Sequence, residues 1–178
     1  MANTKQERFL ELYQPAHAPF ERFCRARAFG DIPYEDLINE TLLVAYRKID
    51  TLQNEKSFLS FLIGIAIRIL SNEKRKKRPQ SGVEEYIFNN HPSPSRAIDK
   101  KFEIEMLHKA LSYLPELQRE ALILFEITGY SIKEIMEIQK SGSSAVKQRL
   151  ARGRKELATR ITKLIEIKGY NPKVTHNT

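Results

Sequence analysis

Cysteine is almost missing: Cys24 stands alone in 178 residues. A disulfide within the chain and a cysteine-based zinc site are therefore excluded, which fits a reducing compartment. Cys24 reads as a small buried apolar residue rather than a reactive thiol. The seven glycines are scattered and make no phosphate-cradling loop. His17, His91, His108 and His176 are too widely spaced to ligate a metal together, and no nucleophile motif accompanies them. An enzyme is thus the weakest reading, and no catalytic residue, metal or cofactor is expected. Long apolar runs are absent too. The longest, Phe58 to Leu70, is broken by Ser60 and Arg68 and is too short to span a bilayer. The opening MANTKQERFLELY carries charges where an export signal needs an apolar stretch. The expected location is the cytoplasm.

Against those absences stands an excess of positive charge, +8 overall with a pI near 9.6. Residues 1–78 and 101–178 are each net basic, whereas the segment between them is slightly acidic. Such a balance favours a polyanionic partner, with nucleic acid, a ribosome or a membrane surface all compatible. With 41% hydrophobic and 29% charged residues, the composition is that of an ordinary globular protein, large enough for one domain or two small ones.

Helical periodicity dominates. Phe9, Leu12, Tyr13, Phe20, Phe23 and Phe29 mark a helix over residues 5–29, with an interruption expected near Pro15 and Pro19. A second helix starts at Tyr34 after Pro33, where Glu35 and Asp36 complement the N-terminal dipole, and a third covers about 57–77. Residues 79–96, PQSGVEEYIFNNHPSPSR, read as a linker containing a small Tyr86–Ile87–Phe88 docking patch. The pattern resumes at Lys101 with Phe102, Met106, Ala110 and Leu114 on one face, and Pro115 opens a further helix. β-type alternation, internal repeats and heptads are missing. The fold class is all-α: two small helical domains joined by a flexible linker.

The most informative stretch is SIKEIMEIQKSGSSAVKQRLARGRK, residues 131–155. Ile132, Ile135 and Ile138 form one apolar stripe; Val146, Leu150, Gly153 and Leu157 form another beyond a polar break. That is the layout of a helix-turn-helix, although a basic helix on a small bundle would share it. Ser144, Lys147, Gln148, Ala151 and Lys155 fall opposite the apolar stripe, where a major groove would meet them. Arg149, Arg152 and Arg154 flank that face and suit phosphates. The turn places Lys140 where a glycine of positive φ is usual, at a cost of about 1 kcal/mol.

Two segments in order resemble bacterial RNA polymerase sigma factors of the extracytoplasmic-function group. YEDLINETLLVAYRKIDTLQNEKSFLSFLIGIAIRILSNEKRKKR, residues 34–78, is similar to the segment that grips polymerase and opens the promoter. LPELQREALILFEITGYSIKEIMEIQKSGSSAVKQRLARGRKEL, residues 114–157, is similar to the segment that reads the minus-35 element. The resemblance implies a first domain over 1–78, a linker over 79–100, a helix-turn-helix domain over 101–170 and a tail over 171–178. It implies Asp36, Asn39 and Glu40 as contacts to the β′ clamp coiled coil. It implies Leu52, Gln53, Asn54, Glu55 and Lys56 as the loop that captures an unstacked base, with Arg68, Lys74, Arg75 and Arg78 also on minus-10 DNA. Ser143, Ser144, Lys147, Gln148, Arg149, Ala151, Arg152 and Lys155 are implied at minus-35. The implied partners are core RNA polymerase, through that coiled coil and the β flap, promoter DNA, and an anti-sigma factor; membrane insertion is not among them.

The chain departs from the family at Phe61, Arg68 and Asn72, where tryptophan, asparagine and aspartate are common, and at Ala145, where threonine is. Phe58 and Phe61 read as core, among Leu62, Ile65 and Ile69. The rival function is a helix-turn-helix regulator with an unrelated N-terminal domain, which would bind DNA unaided and as a dimer.

Overall fold

The computed structural model describes residues 4–76 and 96–168, and no strand occurs among them. Arg78 and the Tyr86–Phe88 patch lie outside the described residues. The elements are α1 (Lys5–Ala28), α2 (Tyr34–Lys48), α3 (Phe58–Lys76), α4 (Arg96–Ser112), α5 (Glu116–Leu122), α6 (Ile132–Gln139) and α7 (Ser143–Lys168). Two 3-10 turns, Ile49–Thr51 and Glu55–Ser57, join α2 to α3.

Thr4 starts α1 through a capping box with Glu7, satisfying two amides that a helix start leaves open. The helix then runs unbroken through Pro15 and Pro19, contrary to the interruption expected there. Each proline removes one amide donor and costs about 3 kcal/mol in a helix interior. Pro15 and its neighbour Gln14 are exposed, so water reaches the disturbed backbone. The buried Phe9, Phe20 and Phe23 return about 1.5–3 kcal/mol each, and Ala16, Cys24 and Ala26 are buried on the same helix. Packing therefore overrides propensity.

Helices α1, α2 and α3 pack around Phe9, Phe20, Phe23, Leu37, Ile49, Phe58, Leu62 and Leu70. The position of Phe58 in this core agrees with its sequence pattern, and Phe61 packs against its edge. The second half contains α4 to α7. Its first helix begins at Arg96, five residues before the periodicity resumes, so the end of the expected linker is helical. After α5 the backbone widens into a π turn, Ile123–Ile127, in which the Thr128 amide reaches back to the Ile123 carbonyl at 3.0 Å. Gly153 lets α7 lie against α5: a Cβ there would sit 3.0 Å from Leu122 Cδ1.

The two halves share one apolar core, with Leu111, Leu114, Ala121, Leu124 and Tyr130 joining the residues of α1 and α3. A polar seam crosses the junction. Arg27, wholly buried on α1, donates to Asp31 Oδ2 at 3.2 Å and to Glu116 Oε1 of α5 at 2.6 Å. Arg119, also on α5, donates to the carbonyls of Ala26 and Phe29 at 3.0 and 2.8 Å, and lies 3.4 Å from Asp31. A guanidinium from one half thus satisfies carbonyls at the end of a helix in the other. Lys74 adds a contact to Glu116 at 3.2 Å. Ser60 and Tyr130 share a hydrogen bond of 3.0 Å across the same junction.

Burial and the nearby Arg27 push Arg119 down to about 10, which leaves it charged at neutral pH. For Glu116, partial burial alone would raise the carboxyl, but Lys74 and Arg27 together hold it below the usual carboxylate value. A carboxylate with a lowered folded pKa contributes fully above its unfolded value of about 4.3. That contribution disappears as pH falls through the lowered folded value. Melting temperatures measured from pH 7 downward should therefore show Glu116→Gln less stable than the parent at neutral pH, with the gap closing below about pH 4.3.

Candidate polymerase-facing and nucleic-acid surfaces

Helix α2 buries Leu37, Thr41 and Ala45 against α1 and α3. That choice of face leaves Asp36, Asn39 and Glu40 exposed together, a turn apart on the opposite side. Leu43 and Tyr46, both exposed, extend this face with apolar surface.

The segment between α2 and α3 is a braced loop. Leu52 is half-buried against the core, and its amide bonds to the Ile49 carbonyl at 3.0 Å. Asn54 caps the second 3-10 turn by accepting from the Lys56 amide at 3.0 Å. Glu55 accepts from Arg8 Nε at 3.0 Å, and Lys5 pairs with Asp50 at 2.6 Å, so the start of α1 pins both ends of the loop. Gln53 and Lys56 present exposed side chains.

Of the remaining minus-10 candidates, Arg68, Lys74 and Arg75 lie on α3, where Arg68 and Arg75 form a track along one side. Nineteen residues separate the helix ends, about 28 Å at 1.5 Å per residue. Arg68 is exposed, and Arg75 is exposed with a bond to Asn72 Oδ1 at 3.2 Å. Lys74 turns away from this track into the junction, where Glu116 and Asp31 hold it.

The helix-turn-helix is complete. Ser131 caps α6 through a capping box: its hydroxyl accepts from the Glu134 amide at 3.3 Å and Glu134 Oε2 accepts from the Ser131 amide at 2.8 Å. Ile135 is fully buried, with Ile132 and Ile138 packed at the core edge. Beyond the turn, Val146, Leu150 and Gly153 are buried and Leu157 is packed beside them. Ser144, Lys147, Gln148, Ala151, Arg152 and Lys155 are all exposed, on a helix that shows them along one side, with Ser143 half-buried at its start. Small Ala151 in the middle of the stripe leaves room for a closely approaching surface.

Two of the arginines expected to suit phosphates also have partners within the protein. Arg149 is half-buried and donates to Gln139 Oε1 and Ser141 Oγ, both at 2.8 Å. Arg154 pairs with Glu126 at 2.7 Å and lies over the Phe125 ring at 5.4 Å. The sequence pattern missed the junction residues Arg27, Asp31, Glu116 and Arg119. A signal existed for Arg27, which follows Phe20 and Phe23 at helical spacing on the buried face of α1.

Two family models match this chain: sigma-70 region 2 over residues 12–80 and sigma-70 region 4 over residues 104–157. A helical protein whose halves match those regions in order has the architecture of a sigma-70 factor. The ECF RNA polymerase sigma-E factor of Escherichia coli (strain K12) is 26% identical over 148 residues, covering 76% of this chain and 76% of that protein. The ECF RNA polymerase sigma factor EcfG of Rhodopseudomonas palustris (strain TIE-1) is 29% identical over 124 residues, covering 70% of this chain and 68% of that one. Among solved structures, the sigma factor RpoE from Bartonella quintana, in complex with the anti-sigma factor NepR, is similar in fold. Its TM-score is 0.67 at 21% identity, over 86% of this chain and 98% of that chain. CnrH, in complex with the cytosolic domain of CnrY, has a TM-score of 0.64 at 19% identity, over 89% and 90%. The chain belongs to the ECF group of the sigma-70 family.

Lys140 does adopt the left-handed conformation, φ 47 and ψ 50, and its neighbour's amide, Ser141 N, bonds to the Met136 carbonyl at 3.1 Å. Strain of about 1 kcal/mol is stored there. Lys140→Gly is expected to raise the melting temperature by roughly 2–4 °C, as read by calorimetry.

Proposed function

We propose that residues 1–78 grip core RNA polymerase and the minus-10 element, that residues 79–100 tether, and that residues 101–170 read the minus-35 element, with 171–178 as a tail. An ECF sigma factor directs core polymerase to promoters and aids melting of the duplex; it supplies recognition, and the chemistry of RNA synthesis belongs to the polymerase. Its setting is the cytoplasm, which agrees with the finding that no helix among the described residues is long and apolar enough to cross a membrane. The observation that carries the reading is the exposed stripe Ser144–Lys147–Gln148–Ala151–Lys155 on α7, facing outward although the two halves are packed together.

Asp36, Asn39 and Glu40 meet the β′ clamp coiled coil, and the second half reaches the β flap. Gln53 and Lys56, exposed on a braced loop, engage the extruded base, with Leu52, Asn54 and Glu55 shaping the loop around them. Arg68, Lys74, Arg75 and Arg78 follow the duplex backbone. At minus-35, Ser143, Ser144, Lys147, Gln148, Ala151 and Arg152 face the groove and Lys155 a phosphate, while Arg149 acts from behind.

This role requires the halves to part. The element names place them about 25 base pairs apart, ~85 Å of B-form DNA. A compact chain of this length has a radius of gyration of about 16 Å and a diameter near 40 Å. Fully extended, residues 77–95 reach at most about 65 Å, enough to bridge the difference. The closed arrangement is therefore the free or inhibited form, and an anti-sigma factor that favours it is a natural further partner; both solved relatives described above carry a bound protein. A stand-alone dimeric regulator has no comparable support.

Added to bacterial core polymerase, the purified protein should start transcription from a subset of promoters in a genomic fragment library. Equal transcript maps with and without it would refute the assignment. Lys147→Ala and Arg152→Ala should each weaken minus-35 binding and flatten its salt dependence, because each removes a cation from the face that meets the DNA; unchanged salt slopes would reject that placement.

A further inference from the structure

The brace behind the recognition helix runs through a single carboxamide. Gln139, the last residue of α6, donates from Nε2 to the Leu117 carbonyl and to Glu120 Oε1, each at 3.0 Å. Its Oε1 accepts from Arg149 Nη1 at 2.8 Å, and that same nitrogen donates to Ser141 Oγ at 2.8 Å. Reversing the amide would set its oxygen against a carbonyl and a carboxylate oxygen, so the partners fix its orientation. Glu120 is almost completely buried and α5 packs firmly on α7, which makes the far end of the brace rigid. One side chain thereby links α5, α6 and α7 at the turn. The turn itself holds Lys140 in the left-handed conformation, a strained position for a residue other than glycine.

We infer that Gln139 and Arg149 are positioning residues that set the pitch at which α7 meets minus-35 DNA. Arg149 spends its Nη1 inside the protein, and its positive charge fastens the recognition helix to the α6 terminus. Lys147 and Gln148, two residues and one residue before this anchor, and Arg152, three after it, gain their aim from it. The inference deepens the promoter-reading role of α7 and depends on it for the DNA measurements, but the brace also has a readout that needs no DNA.

Full-length Gln139→Leu, Arg149→Met and the double variant are compared with the parent in two ways. Amide hydrogen exchange of the free protein reports the turn: exchange at residues 140–145 should accelerate in either single variant, while α1 to α3 remain protected. Holoenzyme reconstituted with each variant is then titrated with a promoter fragment recovered from the transcription assay and with the same fragment carrying a shuffled minus-35 element. Each single variant should lose about tenfold in affinity for the intact fragment, as expected from breaking a part-buried, charge-assisted hydrogen-bonded link, and less for the shuffled one. The double variant should be no weaker than the weaker single variant. Salt slopes should match the parent, since no phosphate contact is removed. A loss of folded protein would reduce both fragments alike and leave their ratio intact.

Ser141→Ala, which removes only one of the two acceptors of Arg149, serves if a larger change prevents folding; it should give the same pattern at smaller amplitude. A salt slope lower by about 0.9 for Arg149→Met, with Gln139→Leu binding as the parent does, would make Arg149 a direct phosphate contact and overturn the inference. Additive losses would overturn it as well. If no fragment binds any holoenzyme while exchange at the turn responds as expected, the promoter-reading role fails and the brace stands.

Discussion

Two buried guanidiniums decide how this molecule is put together. Arg27 and Arg119 approach from opposite halves, and both lie against Asp31. Neither could remain at the junction without the carboxylates and carbonyls that the other half brings. Separating the halves strands these charges only until water reaches them, and hydrated ions carry no tendency to aggregate. A seam built solely from leucine and phenylalanine would expose adhesive surface on opening. An ionic centre gives the junction a defined closed geometry and a tolerable open one. It contributes less to net stability than its short distances suggest, because burying ions costs several kcal/mol each before any pairing returns it. The Nε atoms of both arginines lack a hydrogen-bond partner among the described residues, a further drain on the closed state.

Much of the architecture was legible because helices announce themselves locally. The starts of α2 at Tyr34 and of α3 near residue 57 and the two stripes of the helix-turn-helix follow from periodicity and end chemistry over a few residues. The junction did not, since its partners lie as many as 93 residues apart and an arginine costs the sequence pattern the same whether it is solvated or paired. Pro15 and Pro19 misled for a related reason: the penalty of a proline is local and visible, while the packing that outweighs it is distant. At the recognition surface the pattern identified the exposed stripe but could not separate cations held by the protein from cations left for a partner. Arg149 and Arg154 belong to the first kind, and only their neighbours on α6 and beside α5 reveal it.

The same division explains what the α7 surface offers. A helix of alternating lysine and arginine would bind any polyanion. Here internal partners engage two arginines, and the exposed stripe is a mixture of amide, hydroxyl, methyl, ammonium and guanidinium groups. That mixture can distinguish bases as well as attract phosphates. Selectivity on this face is thus produced as much by what the fold retains as by what it displays.

The π turn after α5 has an effect of another kind. One residue inserted into a helix rotates everything beyond it by about 100° around the axis, and a widened turn is how a helix absorbs such an insertion. Downstream of it the Tyr130 amide bonds to the Leu124 carbonyl, and the Tyr130 hydroxyl meets Ser60 in the first half. Backbone length at this place therefore sets where Tyr130 meets the first half. Replacing a side chain there alters local packing, whereas adding or removing one residue would turn everything that follows.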